Sequence, residues 1–276
     1  MARGNVLVTG ASTGIGEATV RRLLELDFDV AAGVRKDEDA DRLSAVGARP
    51  VKLDVTDQAS IDAARARLGD AALAGLVNNA GIAVSFPLEF VPIEELRHQI
   101  EVNVIGQVAV TQAFLPALRK GRGRIVNVSS IGGRVAMPLG GPYNASKFAL
   151  EALSDSLRRE LRNDEIEVCV VEPGGIKTPI WDKGAARASA MQERMGPGAF
   201  ERYGELMQAV RARSAKIATE TGLPPEEVAK VIGRALTASK PKTRYLVGRD
   251  AKTRWALAKR LPDRAVDALI GRALSG

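Results

Sequence analysis

The sequence predicts an α/β fold built as one doubly wound domain, with a mostly parallel sheet covered by helices on both faces. Three observations carry this. Short Val- and Ile-rich runs alternate with longer helical stretches, the order that right-handed βαβ units produce. A glycine-rich turn joins the first run to the first helix. The chain has 276 residues, 45% of them apolar and 26% charged, an ordinary globular composition long enough to bury a sizeable core.

Asn5–Thr9 reads as the first strand, and the segment after the glycine turn as an amphipathic helix to about Leu26. Val30–Val34 is a second buried strand, and a polar helix leads on to a third at Pro50–Leu53. Gly75–Val77, Arg124–Val128 and Val168–Val171 repeat the strand pattern. In the helix that starts near Tyr143, Leu150, Leu153, Leu157 and Leu161 recur at three- and four-residue spacing, a predicted core-facing stripe. No solenoid-length repeat, low-complexity tract or linker interrupts the pattern. The expectation is one domain over 1–276, with an excursion at about 179–222 and a basic appendage at about 249–276.

Composition excludes several function classes. A single cysteine, Cys169, rules out an internal disulfide framework and a cysteine zinc cluster. A single histidine, His98, rules out a two-histidine metal site, and no metal is expected. Only His98 could serve a Ser-His-Asp triad; its polar helical neighbourhood suggests a surface or interface side chain instead. Cys169 lies in a strand pattern and is expected to be a buried small hydrophobe. No apolar run approaches the ~18 residues of a membrane span. The N-terminal residues lead straight into a strand without a secretory pattern, so the expected compartment is the cytoplasm. The net charge of +7 is uneven: from Lys240 onward, ten Lys/Arg stand against three Asp, which accounts for all of it. With aromatics at only 4%, a nucleic-acid surface of interleaved basic and aromatic residues is not expected.

The turn reads Thr9-Gly10-Ala11-Ser12-Thr13-Gly14-Ile15-Gly16. Glycines there let a diphosphate approach the backbone, and a helix N-terminus offers free N–H groups and a positive dipole end. The Gly-x3-Gly-x-Gly spacing is not that of a phosphate-cradling P-loop. At the end of the second strand Val34 is followed by Arg35 and Lys36. An acidic residue there would bind the adenosine ribose hydroxyls, whereas cations suit a 2′-phosphate. NADP(H) is therefore the expected cofactor, with NAD(H) the alternative.

Tyr143 and Lys147 stand four residues apart, on one helical face. A free tyrosine, with a pKa of ~10, is a poor base near neutrality, and lowering it to ~7 needs ~4 kcal/mol of preferential phenolate stabilisation. A cation ~4 Å away at an effective dielectric of ~20 supplies about that much, which would make Tyr143 a general acid/base. Ser129 and Ser130 close the Arg124–Val128 strand, where a hydroxyl faces the ligand crevice. Ser130 could donate to a carbonyl or alkoxide oxygen; a turn or capping role is the reading for Ser129.

Thr9-Gly10-x3-Gly14-x-Gly16, Asp54-Val55, Asn78-Asn79-Ala80-Gly81, Asn103, Ser130, Tyr143-x3-Lys147 and Pro173-Gly174-x-Ile176-x-Thr178 occur in this order. The set resembles the compact short-chain dehydrogenase/reductases, closely over about residues 5–180 and loosely over 223–248. Tyr143–Leu150 and Tyr245-Leu246-Val247-Gly248 are most similar to the 17β-hydroxysteroid and retinol dehydrogenase-like branch. The resemblance implies a Rossmann-type domain with a seven-stranded sheet. It implies Tyr143 as acid/base, and Lys147 as the group that lowers its pKa and holds the nicotinamide ribose. Ser130 would orient the substrate oxygen, and Asn103 would support a water on a proton path to Lys147. Gly10, Ser12, Gly14, Ile15 and Gly16 would contact the diphosphate, and Arg35 the adenosine side. Asp54 and Val55 would lie at adenine, and Asn79, Ala80 and Gly81 at the adenosine ribose. Pro173, Gly174, Ile176 and Thr178 would lie on the nicotinamide side. Thr13 departs from the pattern, because many NADP-preferring members carry a basic residue there.

The predicted activity is NADP(H)-dependent interconversion of a secondary alcohol and a ketone. The 179–222 excursion carries Trp181, Met191, Met195, Phe200, Tyr203, Leu206 and Met207 among charges, and Met137 lies between Ser130 and Tyr143. Either these side chains line a site for an apolar or ring-containing substrate, or they pin a lid to the body. The tail mixes Trp255, Leu257, Leu261, Val266, Leu269 and Ile270 with Lys and Arg. It is expected to pack on the body as two short helices; contact with an anionic membrane surface is the alternative. The resemblance also implies a homodimer or homotetramer paired through helices around Ile93–Leu118 and Tyr143–Leu161. Rival readings are a catalytically idle nucleotide sensor, which would need the glycines but not the acid/base, and a sugar-nucleotide epimerase or dehydratase. The glycine spacing and the lack of a large C-terminal substrate domain oppose the epimerase.

Overall fold

Seven parallel strands form one sheet, in the order β3-β2-β1-β4-β5-β6-β7. The computed structural model describes residues 3–193 and 197–275. The first half runs β1 (Asn5–Val8), α1 (Gly14–Glu25), β2 (Asp29–Val34), α2 (Asp37–Ser44), β3 (Arg49–Lys52), α3 (Gln58–Leu68) and β4 (Leu73–Asn78). The second half runs α4 (Ile93–Ile100), α5 (Gly106–Gly121), β5 (Arg124–Val128), α6 (Gly141–Glu160) and β6 (Glu167–Pro173). Then come α7 (Ile180–Gln192), α8 (Pro197–Lys216), α9 (Pro225–Thr237), β7 (Arg244–Val247), α10 (Arg249–Ala258) and α11 (Asp263–Ser275).

Period-2 alternation splits the core in two. Val6 and Val8 of β1, Val30 and Ala32 of β2, and Val126 and Val128 of β5 face α1 and α9, where Val20, Leu23, Val228 and Ile232 meet them. Leu7 and Ala31, each between two of these, and Ile125, next to Val126, face the other way onto Ile61, Phe114 and Leu118 of α3 and α5. Cys169 is buried in the first cluster, as its strand position predicts. The chain winds outward from β1 to β3 and returns to β4, so the direction reverses between β1 and β4. The crevice beyond their C-terminal ends is where open α/β sheets bind ligands.

The leucine stripe of α6 is narrower than predicted. Leu150 and Leu161 are buried and Leu157 half-buried, but Leu153 is 39% exposed. The buried positions on that turn go to polar Glu151 and Ser154 instead, and these belong to the site below. The tail forms two helices, α10 and α11. Trp255, Ala258 and Ile270 pack against Ile131, Val135 and Ala251. In the 179–222 excursion Met191 is buried with Val84, Phe86 and Val91, and Met207 packs on the same cluster. The Tyr203 hydroxyl donates to Glu89 at 2.8 Å. The pinning role therefore holds for Met191, Met207 and Tyr203. Met195 lies outside the described residues. No helix among the described residues is long and apolar enough to cross a membrane.

Candidate active site

Gly10 and Gly14 have φ of +60° and +58°, the left-handed region that only glycine occupies cheaply. A Cβ on Gly10 would lie 2.7 Å from the Ala80 Cα, and one on Gly16 would lie 2.1 Å from the Gly10 carbonyl oxygen. The turn is thus folded tightly onto itself and onto the segment after β4. The buried Thr9 hydroxyl fastens that segment: it accepts from the N–H groups of Asn79 and Ala80, both at 3.0 Å. The Asn79 amide donates back to the carbonyls of Thr9 and Gly10, also at 3.0 Å. Gly14 abuts Thr178, whose Cγ2 would stand 3.0 Å from an added Cβ. The glycine turn and the segment after β6 therefore meet across the crevice. Thr13 makes no side-chain cap on α1, so the first-turn N–H groups, at Gly14, Ile15 and Gly16, remain donors for a bound anion.

After β2, Arg35 lies 73% exposed, 3.7 Å from the Asp54 carboxylate. Burial alone would raise the Asp54 pKa, but hydrogen bonds from the Thr56 N–H and hydroxyl, with the Arg35 charge, hold it below the usual carboxylate range. Val55 packs its carbonyl against Gly106. Arg42, which sequence reasoning passed over, donates to the Ser12 carbonyl at 2.6 Å and pairs with Glu17 and Asp39. This crevice fits a dinucleotide: free helical N–H groups for a diphosphate, a glycine cradle that any Cβ would fill, and a guanidinium whose only ion pair among the described residues is long.

Beyond β5, Ser130 caps a single 3-10 turn, its Oγ accepting from the Gly132 N–H at 3.0 Å. Tyr143, in the first turn of α6, lies beside Ser130: a Cβ on Gly132 would stand 3.2 Å from the Tyr143 ring and 3.4 Å from the Ser130 Oγ. Burial pushes the Tyr143 phenol above its ordinary value, and the Ser130 contact works against that rise. The buried Lys147 ammonium sits 5.8 Å from the Tyr143 ring centroid and donates to the Val128 carbonyl at 2.9 Å. Burial lowers its pKa to about 8, with Glu151 opposing. Asn103 lies in a π-helical turn, Glu101–Ile105, between α4 and α5, a distortion often found at functional sites. Its amide accepts from the Ile82 N–H at 2.9 Å and donates to the Ile82 carbonyl and the Ser146 hydroxyl. Ser146 in turn donates to the Tyr143 carbonyl at 2.7 Å. Asn103 thus ties the strand end after Gly81 to the helical turn that carries Tyr143. Pro173 ends β6, Gly174 donates to Val247 at 2.9 Å, and Ile176 is buried in a parallel bridge to Leu223.

Two buried carboxylates also went unread in the sequence. Glu172 in β6 and Glu151 in α6 are buried carboxylates. Arg134 reaches Glu172 at 2.7 Å, and Arg244 reaches Glu151 at 3.1 Å and Asp155 at 3.0 Å. Burial raises the Glu151 pKa, while Ser129, Arg134 and Arg244 pull it down. The signals were available: Glu172 ends an apolar strand run, and Glu151 falls one turn after Lys147. His98 is exposed on α4, away from this cluster.

The family model described as short chain dehydrogenase matches residues 4–188. A 3-amino-tetrahydro-pyrrolizinone reductase of Xenorhabdus hominickii is 40% identical over 91% of this chain and 89% of its own length. Retinol dehydrogenase 5 of Mus musculus is 35% identical over 96% of this chain and 87% of its own. Among solved structures, a short chain dehydrogenase from Burkholderia cenocepacia in complex with NADP superposes with a TM-score of 0.74. It is 29% identical and covers 100% of this chain and 99% of that one. With a matched family model over most of the chain and relatives of this similarity along its whole length, the protein belongs to the short-chain dehydrogenase/reductase family of oxidoreductases acting on CH–OH and C=O groups.

Proposed function

We propose that the protein is an NADP(H)-dependent oxidoreductase that interconverts an apolar secondary alcohol and its ketone. The observation that carries this is the juxtaposition of Ser130 and Tyr143 around Gly132, at the end of β5, two strands from the one that leads into the Gly10–Gly16 turn. The cofactor, when bound, supplies or accepts the hydride. In ketone reduction Ser130 donates a hydrogen bond to the carbonyl oxygen and Tyr143 gives that oxygen its proton; in oxidation Tyr143 takes the proton back. Lys147 places a cation beneath the tyrosine and would hold the nicotinamide ribose. Asn103, through Ser146, keeps the α6 turn in register. The apolar preference is supported by a cavity whose lining includes Met137, Pro138, Leu206, Ile270 and Leu274. Steady-state NADPH oxidation with a steroid-sized ketone and with a four-carbon keto acid tests the activity. A higher kcat/KM for the small acid would overturn the apolar preference.

Arg35 is the expected reader of the 2′-phosphate. Charge-assisted hydrogen bonds of ~1.5–3 kcal/mol correspond to ~10- to 100-fold in affinity. Arg35→Ala should raise the KM for NADPH by about that factor and leave the KM for NADH nearly unchanged. Equal effects on the two would remove Arg35 from this role.

Homodimer formation is part of the same proposal. Ile105, Phe148 and Leu153 are 50%, 44% and 39% exposed on the π-turn and α6, an apolar surface of the kind that protein contacts cover. The parent should run as a dimer or tetramer in light scattering at micromolar concentration, and Phe148→Glu should shift it toward monomer. A parent that is already monomeric would refute the assignment.

A further inference from the structure

Helices α8, α10 and α11, with the loops after β5 and β6, enclose two cavities of about 840 and 820 Å³ that share Ala209 and Leu274 as lining. Their chemistry differs. The first is lined by Met137, Leu206 and Ile270, with Glu205 and Asp267 exposed at its surface. The second is lined by Arg213, Lys216, Arg249 and Arg254. None of these four forms an ion pair among the described residues. The carboxylate in the same wall, Asp250, is turned to the backbone, accepting from the Gly175 N–H at 2.9 Å. Burial pulls the Arg254 pKa down, the neighbouring Arg213 charge pulls it down further, and Asp250 opposes both. Two partly buried guanidiniums that repel one another, with only the backbone-held Asp250 carboxylate offsetting one of them among the described residues, are further stabilised by an anion between them.

We propose that the two cavities form one substrate subsite, taking an apolar chain or ring system that carries an anionic group remote from the reacting carbon. Arg213 and Arg254 hold the carboxylate, sulfate or phosphate, with Lys216 and Arg249 beside them, and the apolar body lies along Met137, Leu206 and Ile270. The proposal rests on the oxidoreductase reading, and each cavity borders a loop that carries candidate site residues. Met137 lies on the loop between Ser130 and Tyr143, its carbonyl accepting from Asn144 at 3.1 Å, and Gly175 follows Gly174. The cations line a concavity rather than a protruding face, which favours a single amphiphile over a membrane surface.

The test compares 10-oxohexadecanoate with its uncharged primary amide, by calorimetry on the NADP⁺-loaded full chain. The parent should bind the acid about 10- to 100-fold more tightly than the amide. Arg213→Gln/Arg254→Gln should bind the two alike, with its affinity for the amide and its Tm unchanged. Equal affinities in the parent overturn the proposal, and that result needs no variant. A preference retained in the double variant overturns it as well. So does binding to phosphatidylglycerol vesicles that the double variant loses, when acid and amide bind the parent equally. NADPH oxidation separates the two readings. Equal KM for acid and amide, with turnover of both, sinks the subsite and leaves the oxidoreductase. Selective binding of the acid without NADPH oxidation by either compound supports the anion site and sinks the catalytic role.

Discussion

Tyr143→Phe is expected to lower kcat by about 10²- to 10⁴-fold, the span that a positioned general acid/base contributes, while the Kd for NADP(H) stays within about twofold. The substitution removes one oxygen. The ring still packs at the start of α6, and the glycine turn, Asn79 and Arg35 are untouched. The transferable proton is lost, and with it the polar partner that the phenol offers Ser130. Stopped-flow hydride transfer and NADPH fluorescence titration read the two quantities separately. Substantial turnover in the variant would end the acid/base role. Lys147→Ala should impair both quantities, since its ammonium lies beneath the tyrosine ring and is held on the Val128 carbonyl.

The backbone frame was legible because it is written in periodicity and in glycine. Alternating Val and Ile placed six strands within a few residues of those observed, and the two-faced core follows from the same alternation. Gly10 and Gly14 were readable because their φ values exclude other residues. Polar burial was less legible. Leu153 fits a core stripe by spacing alone, yet it is exposed, because α6 turns Glu151 and Ser154 inward to meet charges and amides from β5, β6 and β7. Those partners lie as far as 93 residues away in the chain, beyond the reach of any local pattern. The cationic cavity was hidden for the same reason: it joins Arg213 of α8 to Arg254 of α10, and in sequence these are two unremarkable arginines in amphipathic helices.

The buried charge cluster should be the costliest structural site to break. Arg134 holds Glu172, which is 2% exposed, at 2.7 Å, lies 3.7 Å from Glu151, and stacks over Trp255 at 4.8 Å. Removing one member of a buried ion pair leaves an uncompensated charge, at a cost of about 3–5 kcal/mol. Arg134→Ala should therefore lower Tm by on the order of 10 °C. The loss should also depend on pH, and its sign follows from Glu151. Burial already raises the folded pKa of Glu151, and the Arg134 charge opposes that rise; without Arg134 the folded value climbs further above the unfolded one. Between those two values the folded state binds more protons, so stability falls as pH increases. The variant should consequently be closer to the parent at pH 5 than at pH 8. Arg134→Met/Glu172→Leu should recover much of the loss, because replacing both partners with apolar groups leaves no unpaired charge. Thermal melts of the three proteins at both pH values provide the measurement. A single variant that melts within 2 °C of the parent at pH 8 would show that Arg244 alone satisfies both carboxylates.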